Sequence, residues 1–276
     1  MNITASQVNE LRKMTGAGMM DCKHALVEAE GDVQKAIDIL RKKGQKVASK
    51  RADRDANEGK IIAKVSPDGT FGAMIMLNCE TDFVANTPDF MNLANSIIDV
   101  AIANHVTSLE DLNNQIIDGV TVADRIIENT GKTGEKNTLA HYLYLESELV
   151  NAYNHLGNRV ATLVAMNKAG EQSNTVAHEL AMQVAAMAPI AVDEQSIPAD
   201  VIEREMEIAR EQVRQEGKPE NMVDKIAEGK LKKFFKENTL LDQIFVRDGK
   251  ISVSDYIKSV DKELKVKSFY RLILGA

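Results

Sequence analysis

The sequence predicts an α+β protein with antiparallel sheets, and three observations carry that prediction. Short segments of helical apolar spacing open the chain. Two strand-loop-helix units of similar plan then follow one another. Near the end, two long amphipathic stretches meet at Gly217-Lys218-Pro219, a helix stop followed by a helix start.

Residues 4–44 read as three short helices. Thr4 with Gln7 fits a capping box, and Val8, Leu11 and Met14 keep a helical spacing until Gly16 and Gly18 break the chain. A second helix over 19–30 puts Met19, Cys22, Ala25, Leu26 and Ala29 on one stripe, and Gly31 stops it. Asp32 caps a third, whose Val33, Ala36, Ile37 and Leu40 face inward and which Gly44 is expected to end. Residues 45–59 are charged and poor in large apolar groups, as in a linker or an exposed helical extension.

Ile61-Ile62-Ala63-Lys64-Val65 is β-like, Ser66-Pro67-Asp68-Gly69 is a turn signal, and the run from Phe71 to Leu77 is β-like again. A loop over 78–89 precedes a helix over 90–104, with Met91, Ala94, Ile97, Ile98 and Ala101 at helical spacing. Residues 105–150 are polar and helical in tendency. The plan then recurs, with a strand over 160–166, a polar loop over 167–174 and an apolar helix over 175–187. Ile202, Met206, Ala209 and Val213 are spaced like a coiled-coil seam, and Val223, Ala227, Leu231 and Phe234 continue it on a return limb. Strands are expected around 244–247 and 269–274, with a helix near 253–260 between them. The domain expectation is a three-helix module and linker (1–54), a first core subdomain (55–140), a second (141–198 with 238–276), and a coiled-coil hairpin (199–237).

Composition narrows the function. A net charge of −7 argues against broad nucleic-acid binding, which draws on clustered Lys and Arg. The two cysteines, Cys22 and Cys79, form no C-x-x-C pattern, so neither a zinc site nor a disulfide framework is indicated. The first residues lack a basic n-region and an apolar h-region, and no apolar run reaches the ~18 residues that span a bilayer. A soluble cytoplasmic protein is expected.

Motifs for chemistry are weak. Gly131-Lys132-Thr133 ends like a phosphate-binding loop, but Ile126 stands where that motif needs glycine and no apolar strand leads in, so a flexible loop is expected. The histidines, His24, His105, His141, His155 and His178, show no metal-helix spacing. The basic stretch from Arg41 to Arg54 is interrupted by Asp53 and carries no interleaved aromatics, which favours a solvated surface over base stacking.

The segment Asn78-Cys79-Glu80-Thr81-Asp82-Phe83-Val84-Ala85 stands apart. It follows an apolar strand and shows no periodicity, yet it spends a phenylalanine in a chain with 4% aromatic residues. Two readings stand on pattern alone. Phe83 folds back onto its own core, or it is an exposed apolar wedge beside a carboxylate.

This segment, and the earlier run Leu11-Arg12-Lys13-Met14-Thr15-Gly16-Ala17-Gly18-Met19-Met20-Asp21-Cys22-Lys23-His24-Ala25-Leu26, resemble the two signatures of the elongation factor Ts family, in the family's order. The resemblance implies a ubiquitin-associated-like N-terminal module, a core of two related subdomains and an inserted coiled-coil hairpin. It also implies a partner, the translation GTPase elongation factor Tu in its GDP-bound and nucleotide-free states. The implied activity is guanine-nucleotide exchange without covalent chemistry.

On that resemblance, Thr81, Asp82, Phe83 and Val84 form the loop that disturbs the partner's Mg2+ and phosphate site. Arg12, Met19 and Met20 dock the N-terminal module, and His155 supports a second contact. A place for Met19 inside the three-helix core stays open. Met76 stands where the family often has an acidic residue and Asn86 where it often has Lys or Arg. A Gly-Gly-Arg-like turn appears as His155-Leu156-Gly157-Asn158-Arg159. No catalytic residue, cofactor, resident metal, or direct nucleotide, nucleic-acid or membrane binding is expected. Dimer formation is left open, since some members of the family associate. A rival expectation is a non-catalytic adaptor that binds peptides or helices through the three-helix module and coiled coil.

Overall fold

The computed structural model describes residues 3–275. Three helices come first: α1 (Ala5–Thr15), α2 (Met19–Glu28) and α3 (Val33–Lys50). The Thr4–Gln7 capping box is formed, and the module closes on Val8, Leu11, Cys22, Ala25, Leu26 and Ala36. Met19 leaves the stripe expected for it and stands 54% exposed, because the buried face of α2 begins one turn later at Cys22.

Gly44 does not end α3. The helix runs on to Lys50, and Gly44 is buried where α3 crosses a later helix, α7 (Val122–Thr133). A Cβ on Gly131 of α7 would lie 2.7 Å from the Gly44 Cα. Glycine here permits close helix approach instead of breaking the helix. Gly131-Lys132-Thr133, expected as a flexible loop, is the last turn of α7, and Gly134 closes it in the left-handed conformation.

Strands β1 (Glu58–Val65) and β2 (Phe71–Cys79) form the expected antiparallel pair. A one-turn helix α4 (Asp82–Ala85) and helix α5 (Pro88–Ala103) follow, then α6 (Leu109–Asn114), the tiny hairpin β3 (Ile116–Ile117) with β4 (Val120–Thr121), and α7. The region expected to be helical also holds two strands, β5 (Thr138–Glu146) and β6 (Leu149–Asn154). β5 completes the sheet β1-β2-β5, so the boundary expected at residue 140 falls inside a strand. Its pattern is hard to read because the register shifts between Met76 and Leu77 of β2, opposite Ala140, which breaks the two-residue alternation.

A second sheet has the order β6-β7-β8, with β7 at Val160–Met166 and β8 at Val266–Ile273. Helix α8 (Glu171–Met187) covers its outer face, and α11 (Val253–Val260) packs beside α8. Helices α9 (Ala199–Gln215) and α10 (Glu220–Asn238) fold back on each other over Ala209, Val213, Val223, Ala227 and Leu231. The strand expected at 244–247 is reduced to one bridge, Ile244 to Ser252, with Phe245 inserted into the core by stacking on Tyr256.

The two sheets stack face to face. Phe71, Ala73, Ile75 and Leu77 of β2 meet α5, while Met74 and Met76 meet Val150, Ala161, Leu163 and Ala165 of the second sheet. β2 is therefore buried on both faces, which explains its unbroken apolar run. The layers run helix, sheet, sheet, helix, with the strand ends left free to carry turns. Among the described residues no helix is long and apolar enough to cross a membrane.

Candidate partner-binding site

The turn after β2 is built to hold its shape. Thr81 caps α4, its hydroxyl accepting from the Val84 amide at 3.4 Å. Thr87 then caps α5, with Pro88 in its first turn, and donates to the Val84 carbonyl at 2.8 Å. The segment expected as an irregular loop is thus one helical turn fixed at both ends. Its two faces differ. Ala85 is buried and Val84 packs on the α5 core, whereas Asp82 is exposed and Phe83 is 82% exposed. Phe83 does not fold back. Leaving it in water forgoes the roughly 1.5–3 kcal/mol that burial of such a side chain supplies.

Carboxylates tie the turn's base. Glu80 accepts from the Lys136 amide at 2.6 Å and twice from Arg51, the residue that closes α3, at 2.8 Å. These hold its carboxyl below the ordinary range, the Lys136 bond contributing most. Glu135 takes the Thr81 amide at 3.0 Å and the Thr81 hydroxyl at 2.7 Å. Cys79 donates to the Thr81 carbonyl, and burial pushes its thiol up to about 12, so it stays protonated.

A second exposed apolar tip lies alongside. The turn between β6 and β7 carries His155, which is exposed and within 2.9 Å of the Tyr153 hydroxyl, and Leu156, which is 93% exposed. Gly157 and Asn158 both take positive φ to make this turn. The Asn158 carbonyl accepts from the Ile61 amide at 2.8 Å, and Arg159 pairs with Glu58 at 2.7 Å, so the turn is stitched along β1. Lys60 joins the two tips. Its ammonium donates to the Asn86 side chain at 2.9 Å and to the Gly157 carbonyl at 3.0 Å.

The remaining sequence candidates sit on the three-helix module. Arg12 is exposed on α1, and Met19 and Met20 (57% exposed) open α2 beside a similarly exposed Met14. The structure therefore brings Thr81, Asp82, Phe83 and Val84 next to the His155 turn, and carries Arg12, Met19 and Met20 on a different body. Sequence reasoning passed over three residues here. Leu156 gave the same signal as Phe83, an apolar residue in a polar turn. Lys60 and Glu135 gave none, because their partners lie far along the chain.

A profile of the family described as "Elongation factor TS" matches residues 80–276. The chain is also 50% identical over 273 residues to "Elongation factor Ts" of Christiangramia forsetii, covering 99% of both chains. It is 50% identical over 277 residues to the protein of that name from Amoebophilus asiaticus, covering 100% of each. For Flavobacterium psychrophilum the figure is 47% over 273 residues, covering 99% of each. The chain belongs to the elongation factor Ts family. Met76, where the resemblance implies an acidic residue, is 6% exposed between the two sheets and packs in an apolar cluster with Ile61, Val150 and Leu163. Asn86 accepts from Lys60, so a cation is present at this edge from β1.

Proposed function

We propose that this chain is a guanine-nucleotide exchange factor for elongation factor Tu. On this reading the Asp82-Phe83 turn enters the GTPase near its Mg2+ and phosphate site and promotes GDP release. The carrying observation is the 82% exposure of Phe83 on a turn capped at both ends and tied at its base. An exchange factor makes no covalent bond. It binds the nucleotide-free partner better than the GDP-bound one, and linkage requires GDP to be weakened by the same factor, each ~1.4 kcal/mol of coupling giving roughly tenfold. Phe83 supplies apolar burial only when the partner opens to receive it. Asp82 brings negative charge towards the metal's hydration shell, where it competes for the hydrogen bonds that hold the ion. Arg12, Met19 and Met20 dock the three-helix module, methionine suiting an adaptable surface, and His155 supports the second contact.

Stopped-flow release of a fluorescent GDP from the GTPase tests this. The wild-type chain accelerates release, and Phe83→Ala loses most of the acceleration at saturating factor. Unchanged release with Phe83→Ala would remove the wedge. A chain that binds the GTPase without changing release at all is an adaptor.

A further inference from the structure

We propose that Glu135 is a positioning residue for exchange, holding the Asp82-Phe83 turn in its presenting geometry through Thr81; the proposal rests on the exchange reading above. The Thr81 hydroxyl has one proton and two lone pairs. Its proton goes to Glu135 Oε1 at 2.7 Å, which leaves a lone pair to accept the Val84 amide. The other oxygen, Oε2, takes the Thr81 backbone amide at 3.0 Å. One carboxylate therefore fixes both the backbone and the rotamer of the residue that caps α4. Without it the hydroxyl proton is free to rotate and the cap loses its direction.

Glu135 is itself held still. Its amide donates to the Thr133 hydroxyl at 3.3 Å, and its carbonyl accepts from the Asn137 side chain at 2.7 Å. Asn137 is buried and receives the Asn129 side-chain amide at 3.1 Å. Thr133 closes α7, and Gly134 turns the chain there at φ 72°. The Gly131-Lys132-Thr133 run, which resembles the end of a phosphate loop, thus serves as the footing of this carboxylate. The adjacent Lys136 amide binds Glu80, and the Lys136 ammonium donates to the Ala52 and Arg54 carbonyls after α3. The turn at 134–137 is a fixed anvil between the three-helix module and α4. A side chain that must part the packed groups of a partner works only if its own base does not yield, and preorganisation of this kind is where a distant clamp acts.

The test uses the full chain and the GTPase loaded with fluorescent GDP, across a series of factor concentrations. Glu135→Ala is expected to lower the maximal release rate about tenfold, the worth of a hydrogen bond to a charged group, with the half-saturating concentration little changed. Glu135→Gln keeps an acceptor for only one of the two Thr81 donors and is expected to recover part of the rate. Thr81→Val added to Glu135→Ala is expected to cost nothing further, since both act through one cap. A wild-type maximal rate in Glu135→Ala overturns the proposal, as does a loss in half-saturation alone, or full additivity with Thr81→Val.

Amide hydrogen exchange separates this failure from failure of the exchange reading. The Ala85, Asn86 and Thr87 amides bond within the α4 turn. In Glu135→Ala they are expected to exchange faster while those in the middle of α5 keep their protection. Unchanged exchange at these amides overturns the positioning role even if the chain proves not to release GDP.

Discussion

The turns at 81–84 and 155–159 each lift a large apolar side chain into solvent, Phe83 and Leu156, yet they are held by different means. The first is a helical turn closed by side-chain caps, Thr81 and Thr87, and tied at its base by two carboxylates, Glu80 and Glu135. The second is a backbone turn with two left-handed residues, sewn to β1 by side-chain amide hydrogen bonds of Asn154 and Asn158 and by the Arg159–Glu58 ion pair. Lys60 bridges the two. The first arrangement resists displacement of the whole turn, because Thr81 is anchored through Glu135 just past α7 and the adjacent Glu80 through Arg51 at the end of α3. The second resists only what β1 resists. A tip that must do work against a partner belongs on the first kind of support. A tip that adds contact area can sit on the second.

Two substitutions break that comparison apart. Phe83→Ala carries the largest expected effect, roughly tenfold to a hundredfold in maximal GDP release, the equivalent of burying one phenylalanine. Leu156→Ala is expected to leave the maximal rate near wild type and to raise the half-saturating concentration, by up to roughly tenfold for an apolar side chain buried in an interface. Concentration series on both variants measure the split. An equal fall in maximal rate for both would show that the two supports do the same job.

Gly157→Ala probes the second support alone. Gly157 has φ 85°, a conformation that opposes a Cβ, although the surrounding space is open. Strain at such a position is worth about 1 kcal/mol or more. A thermal melt is expected to fall by a few degrees, and hydrogen exchange is expected to rise at the Ile61 amide, which bonds to Asn158. The amides of α4 should keep their protection. If they loosen too, Lys60 carries strain from one turn to the other.

Much of this contrast was legible in the sequence, and the illegible part has a common cause. The strands β1, β2, β7 and β8, the helices α5, α8 and α11 and the hairpin of α9 with α10 announce themselves through local period. Phe83 announces itself through aromatic scarcity. Gly44 misleads because glycine serves close helix approach as well as helix termination, and only the position of Gly131 decides between them. β5 hides because a bulge breaks its alternation. Glu135 and Lys60 hide because their roles are set by partners in other elements. Leu156 alone was both readable and unread.

Acid should separate the two supports with the smallest effect. Glu80 is held below the ordinary carboxylate range by the Lys136 amide first and Arg51 next. A carboxyl depressed on folding adds stability that is fully present above its unfolded value, about 4.3, and that drains away as pH falls through its lower folded value. Between pH 8 and about 5 the contribution of Glu80 to the α4 anchor is therefore constant, and it weakens only below the ordinary carboxylate range. The amide hydrogen bonds of Ile61, Asn154 and Asn158 that sew the second turn to β1 do not titrate, and Glu58, paired with Arg159, adds a carboxylate to that seam without bonding the Ile61 amide. Hydrogen exchange followed from neutral pH into acid, corrected for the intrinsic rate, should show α4 loosening before the Ile61 amide does. Glu80→Gln should abolish the difference by loosening α4 at every pH. If α4 and the Ile61 amide open together in the wild-type chain, the carboxylates are not what distinguishes the rigid turn from the adaptable one.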